Sequence, residues 1–435
     1  MIRPFRKLKS ALVFQVFVLV SSPAFVWSQT DQTLENKLNL LLLKIEKLSE
    51  TVERQQLRIK NLEEENSKLQ PQGTPARPDP KPVVQTVPSQ TTSFNPEIGI
   101  VADITGVLSE SSEDHEGNDK LSVRELEIVF GHDIDPYSRF DSTITFSDFE
   151  DPAIEEAYIT HWGLPWDIKA RLGRMRPTIG KANRVHRDQL DTADFPFVLQ
   201  EYLGVEGLYR TGIEGSSYLP WSSASITQEL TLGLMEGGIG EEGTLFGSTK
   251  RRPSYYSHLK NFWEMSEEQN LELGISYLLG SADEDSNYEV HALGLDATYV
   301  NYLSASSRLK FQSEFFFQDR TQAASEEEDG HELHRGLLEQ EALQFDKNPF
   351  GFYVLGDYRF SSQFGLGARF DYVEPVNFED SHAETLGYTG YLTFYQSEFL
   401  RFRLQYQHVD FPTEDDNRFF LQATAAIGTH KHQLQ

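Results

Sequence analysis

The sequence predicts an all-β protein: a closed antiparallel transmembrane β-barrel of about 16 strands, preceded by an N-terminal α-helical coiled coil. Three observations predict it. Segments of about ten residues after residue 96 alternate apolar and polar side chains, the length and period of a tilted strand crossing a bilayer. Short connections alternate with longer acidic ones, as turns and external loops do around an outer-membrane barrel. An unbroken heptad seam precedes the strands. Hydrophobic content is 38% and mean hydropathy −0.47, which leaves no apolar helical span beyond the N-terminus. A barrel survives that test because its strands hide their lipid face in alternation.

Residues 1–28 read as a signal peptide. Arg3, Arg6, Lys7 and Lys9 form the basic start, an apolar centre follows, and small residues precede a cut after Ser28. The chain has no cysteine, so disulfides, thiolate metal sites and a lipidated cysteine are excluded. Residues 31–70 are expected to form a periplasmic coiled coil. Leu38, Ile45, Val52, Ile59 and Asn66 take the a positions, and Leu34, Leu41, Leu48, Gln55, Leu62 and Leu69 the d positions. The protein is therefore expected to be a homo-oligomer. The core rule for β-branched a with leucine d favours two strands, whereas assembly around a membrane barrel favours a trimer. Residues 71–95, rich in Pro, Gln, Ser and Thr, read as an extended linker.

Residues 96–435 are expected to form the barrel. Strands are expected at 98–107, 123–133, 139–147, 155–162, 168–175, 210–219, 228–235 and 255–264, then at 271–278, 289–300, 308–318, 352–360, 364–372, 385–395, 400–409 and 418–427. The last hairpin shows the pattern best. Leu400, Phe402, Leu404 and Tyr406 share one face, and Arg401, Arg403, Gln405 and Gln407 the other. The inward faces are expected to be polar around water, with Asp371 and other acids opposed to Arg359, Arg369, Arg401 and Arg403. Connections 301–307 and 319–349 are expected to be loops. The net charge of −28 disfavours nucleic acid as a partner.

The connection 177–206 lacks strand character. Around it, Gly173, Arg174, Gly180, Lys181, Asn183, His186, Phe195, Pro196, Gly204, Gly207, Thr211 and Gly212 resemble bacterial outer-membrane porins, including the phosphate-selective and coiled-coil-bearing trimeric groups. The resemblance implies a third external loop folded inward, with Lys181, Arg184, His186, Arg187 and Asp188 at the constriction. It implies passive diffusion of small hydrophilic solutes or ions, outer-membrane lipid as surroundings, and no cofactor. The chain departs from the family at its end, since no aromatic follows Phe420. His331 and His334, beside acidic residues, are weak metal candidates without a fixed third ligand. No catalytic set has usable spacing, so an enzyme is not expected. The alternatives are a TonB-type substrate or metal receptor, which needs a plug domain, and a structural tether acting through its coiled coil.

Overall fold

The computed structural model describes residues 96–111, 119–149, 151–220, 225–237, 252–283, 287–323, 344–376, 384–412 and 414–428. The expected signal peptide, coiled coil and linker lie outside the described residues, as do His331 and His334.

The described chain is nearly all strand: β1 (Glu97–Ser109), β2 (Lys120–Asp135), β3 (Ser138–Phe146), β4 (Ala153–Leu164), β5 (Ile168–Met175), β6 (Arg210–Tyr218), β7 (Ile226–Met235), β8 (Ser254–Ser266) and β9 (Gln269–Ser281), followed by β10 (Glu289–Ser304), β11 (Ser307–Ala323), β12 (Gln344–Lys347), β13 (Phe350–Arg359), β14 (Phe364–Val373), β15 (Thr385–Ser397), β16 (Leu400–Asp410) and β17 (Asp415–Gly428). One short helix, α1 (Phe197–Leu203), interrupts them. Apart from β12 and β13, each strand pairs antiparallel with its neighbours in sequence, and β17 returns to β1 with Ile100 opposite Ile427 and Val107 opposite Phe420. Closure pairs β1 with β17, two strands that would otherwise present unpaired backbone groups, which a lipid environment would penalise. Both β12 and β13 pair with β11, so they share one position of a sixteen-strand wall, broken at Asn348 and Pro349. Pro349 has no N–H to give to a ladder.

At their described residues, the loops expected at 301–307 and 319–349 are shortened by this wall. β10 and β11 run on to a two-residue turn between Ser304 and Ser307, and β11 reaches Ala323 before β12 pairs back onto it. Ladder hydrogen bonds carry the strands past their apolar stretch, and side-chain alternation does not register that extension.

The two faces of the wall differ as alternation requires. On β16, Leu404 is 57% exposed on the outside while Arg403 is 2% exposed on the inside. Outward aromatics gather towards both ends of the strands. Phe364 meets Phe394 in a tilted pair at 5.0 Å on the short-turn side, and Phe350 stacks on Tyr372 at 5.1 Å on the long-loop side.

The inside is not polar throughout, contrary to expectation. Inward-facing Leu278, Val290, Phe316, Tyr353, Leu355 and Val409 join one apolar cluster with Ile179, Phe195, Val198, Leu199, Tyr202 and Leu203 of the connection after β5. Burying each large apolar side chain contributes roughly 1.5–3 kcal/mol, enough to hold this connection inside the barrel.

Candidate functional site: the lumen and its inserted loop

Residues 176–209 leave β5 and cross the lumen, touching the wall on several sides. The first anchor is Glu314 of β11. Its carboxylate accepts the main-chain N–H groups of Lys181 at 2.8 Å and Ala182 at 2.7 Å, and the Tyr353 hydroxyl at 2.7 Å. Gly180 makes the approach possible. Its φ is +57°, and a Cβ there would lie 2.0 Å from Glu314 Oε2. Thr178 N–H donates to Glu214 of β6 at 3.0 Å, and Lys181 Nζ pairs with Glu272 of β9 at 2.7 Å.

The second anchor depends on a β-bulge. Glu155 is the extra residue in β4, because Thr143 pairs with Glu156 and Ile144 with Ile154. Adjacent glutamates thereby both serve the lumen. His186 Nδ1 lies 3.4 Å from Glu155 and 3.3 Å from Glu127 of β2, and its Nε2 lies 3.0 Å from Glu156. Burial alone would lower the imidazole pKa, but these carboxylates raise it well above its ordinary value. Arg176 closes the cluster by pairing with Glu155 at 2.9 Å. Burial and the nearby Glu127 carboxylate push Asp188 up to about 7. A like bulge in β2 turns Arg124 inward, where it holds Asp103 at 2.5 Å.

The third anchor is a set of wall side chains that bind loop main chain. Arg401 donates to the carbonyl of Asp188. Arg403 donates to the carbonyls of Thr192 at 2.7 Å and Leu190 at 2.9 Å. Arg369 pairs with Asp194 at 2.8 Å and Asp371 at 2.7 Å, and Asp371 also accepts the N–H of Phe197 at 3.0 Å. Gln405 and Gln407 donate to Asp194, and Lys310 pairs with Asp191 at 2.7 Å. The loop has little secondary structure of its own, so its buried backbone groups take wall side chains as partners instead.

Beside the loop, against β4 to β8, a cavity of about 300 Å³ remains. Lys169, Arg171 and Lys260 line it from the wall and Arg184 from the loop, facing Glu214 and Glu229. Ser216 and Thr231 add hydroxyls, so the surface is charged and hydroxylic.

The residues singled out in the sequence thus divide by place. Lys181, His186, Arg187 and Asp188 lie on the inserted loop, with Arg187 paired to Glu206 at 3.3 Å. Arg184 is exposed and faces the cavity. Arg369, Asp371, Arg401 and Arg403 are buried against the loop. Arg359 sits apart, capping the turn after β13 through the carbonyl of Ser361 at 3.3 Å. Sequence reasoning missed Glu155, Glu156, Arg176, Asp191 and Asp194. Consecutive glutamates at the start of an alternating strand were the available signal, because a pair that breaks the dyad marks a bulge. Among the described residues no group of three or more His, Asp or Glu is arranged to hold a metal ion.

No family model matches the chain. A protein of Aquifex aeolicus (strain VF5) described as uncharacterized is 28% identical over 325 residues, covering 68% of this chain. The match spans 66% of that relative, just under two thirds of its length. Among solved structures, an anion-selective porin from Comamonas acidovorans matches with a TM-score of 0.51 at 9% identity, over 77% of this chain and 99% of the other. The fold is porin-like. The outer membrane channel DcaP of Acinetobacter baumannii matches with a TM-score of 0.48 at 11% identity, over 77% of this chain and 96% of that one.

Proposed function

We propose that this barrel is an outer-membrane channel through which small hydrophilic solutes or ions diffuse passively, beside the inserted loop. The observation that carries the reading is the division of surfaces. Apolar side chains such as Leu232, Ile275, Leu366 and Leu404 are exposed on the outside, while the remaining internal cavity is charged and hydroxylic. Only a closed barrel or a helix satisfies its backbone within lipid, so an apolar outer wall of closed strands suits a membrane. The expected signal peptide agrees with export, and the expected heptad seam with a homo-oligomer, a trimer on the porin analogy. The short turns would then face the periplasm and the long connections the exterior.

The test is planar-bilayer recording of the purified full-length protein. Discrete, stable conductance steps are the expected result, and none at all would reject the channel. A tether reading draws support from one specific observation, the burial of Arg369, Arg401 and Arg403 against the inserted loop. The same recording separates the two, because a tether gives no steps.

A further inference from the structure

We propose that the cavity beside the loop is an oxyanion subsite, with Lys169 on the wall and Arg184 on the loop as its two binding cations. The inference rests on the channel reading and adds a ligand class to it. It comes from asking which charges around the cavity are already neutralised. Glu214 is held by Arg171 at 2.6 Å, Glu229 by Lys260 at 2.5 Å, and Glu156 by His186 at 3.0 Å. Arg176 is occupied by Glu155 at 2.9 Å. Each glutamate of the lining thus has a cationic partner, and the side chains of Lys169 and Arg184 are paired with none of them.

The side chains of Lys169 and Arg184 make no hydrogen bond or ion pair among the described residues, yet both line this cavity. Arg184 is exposed to the space and Lys169 half-buried beside it. Hydroxyl donors lie next to the cations in the sheet register. Ser216 is directly opposite Lys169, and Thr231 directly opposite Ser216. An ammonium, a guanidinium and neighbouring hydroxyls together suit a small oxyanion such as sulfate, phosphate or a carboxylate. A volume of about 300 Å³ accommodates one with part of its hydration shell. Arg369, Arg401 and Arg403 do not compete for it, because they are spent on the loop.

The experiment uses full-length protein in planar bilayers under a potassium chloride gradient, with inorganic sulfate as the probe. The wild type should be anion-selective, and sulfate should reduce its chloride current. In Lys169→Gln with Arg184→Gln, the reversal potential should move toward the cation side and sulfate block should weaken by about tenfold, the loss expected on removing charge-assisted contacts. Lys169→Arg with Arg184→Lys should keep both properties. Conductance steps with a cation-selective wild type, or with unchanged reversal potential and block in the double Gln variant, overturn the subsite and leave the channel standing. A wild type without steps removes the channel and the subsite with it.

Discussion

Arg403 of β16 donates to the main-chain carbonyl of Leu190 at 2.9 Å, so a wall side chain supports loop backbone that has no strand or helix to pair with. The same guanidinium reaches Thr192 O at 2.7 Å. This relation makes the arginine a fastener for the loop. Arg403→Ala leaves both carbonyls without that partner and should destabilise the loop by about 1.5–3 kcal/mol, the usual range for hydrogen bonds to a charged group. Single-channel conductance should rise, and its noise with it, while the barrel still shows heat-modifiable migration on a gel. Unchanged conductance would mean that Arg403 does not hold the loop.

Loop retention should depend on pH, with a sign set by two groups on the loop. The pKa of His186 is raised, so the contribution of its imidazolium is fully present below the unfolded value near 6.5 and is lost as pH rises through the folded value. Asp188 has its pKa raised to about 7, so the penalty for burying its charge is absent below its ordinary 3.8 and grows as pH rises toward 7. Both effects loosen the loop as pH rises, the Asp188 effect being complete by about pH 7 and the His186 effect continuing above it. Conductance recorded from pH 6 upward should therefore increase. In His186→Gln the alkaline rise should be largely gone, and an equal rise in that variant would exclude the histidine as its source.

Gly180 occupies a left-handed conformation against Glu314. Gly180→Ala should displace that carboxylate from the N–H groups of Lys181 and Ala182, with a cost of about 1–3 kcal/mol for the backbone strain. Urea titration of the loop, followed by protease accessibility near residue 184, should show an earlier transition than in the wild type. Equal protection would show that the carboxylate can retreat without releasing the loop.

Leu404 lies mid-strand on the exposed outer face. If lipid covers this face, Leu404→Arg should cost about 2–4 kcal/mol on insertion, the penalty for a cation near the bilayer midplane. Refolding into vesicles would fall while Leu404→Ile, at the same position without a charge, inserted normally. Equal insertion of Leu404→Arg and wild type would argue that this face does not meet hydrocarbon.

Much of the wall was legible because a strand reports its environment residue by residue. The hairpin of β15 and β16 reads correctly from its alternation alone, down to the inward Arg401, Arg403, Gln405 and Gln407. The site was less legible. Glu155 and Glu156 are neighbours in sequence, and only a local break in pairing lets both face His186. Asp194 meets Arg369, Gln405 and Gln407 across separations that no local pattern encodes. Helix α1 was not visible either, because its apolar residues satisfy the loop cluster and not a periodic face of a long helix.

By itself the sequence determined a closed antiparallel wall, since alternation with period two is a property of each strand and survives without knowledge of its partners. Whether the inside is empty or filled was decided only by tertiary structure. The arginines of β14 and β16 carry the same charge on either outcome, and their role turns on whether a carbonyl of Leu190 or a passing ion lies within reach. That is a matter of where residues 176–209 come to rest, which is set by the sum of many long-range contacts and not by the order of residues in any one segment.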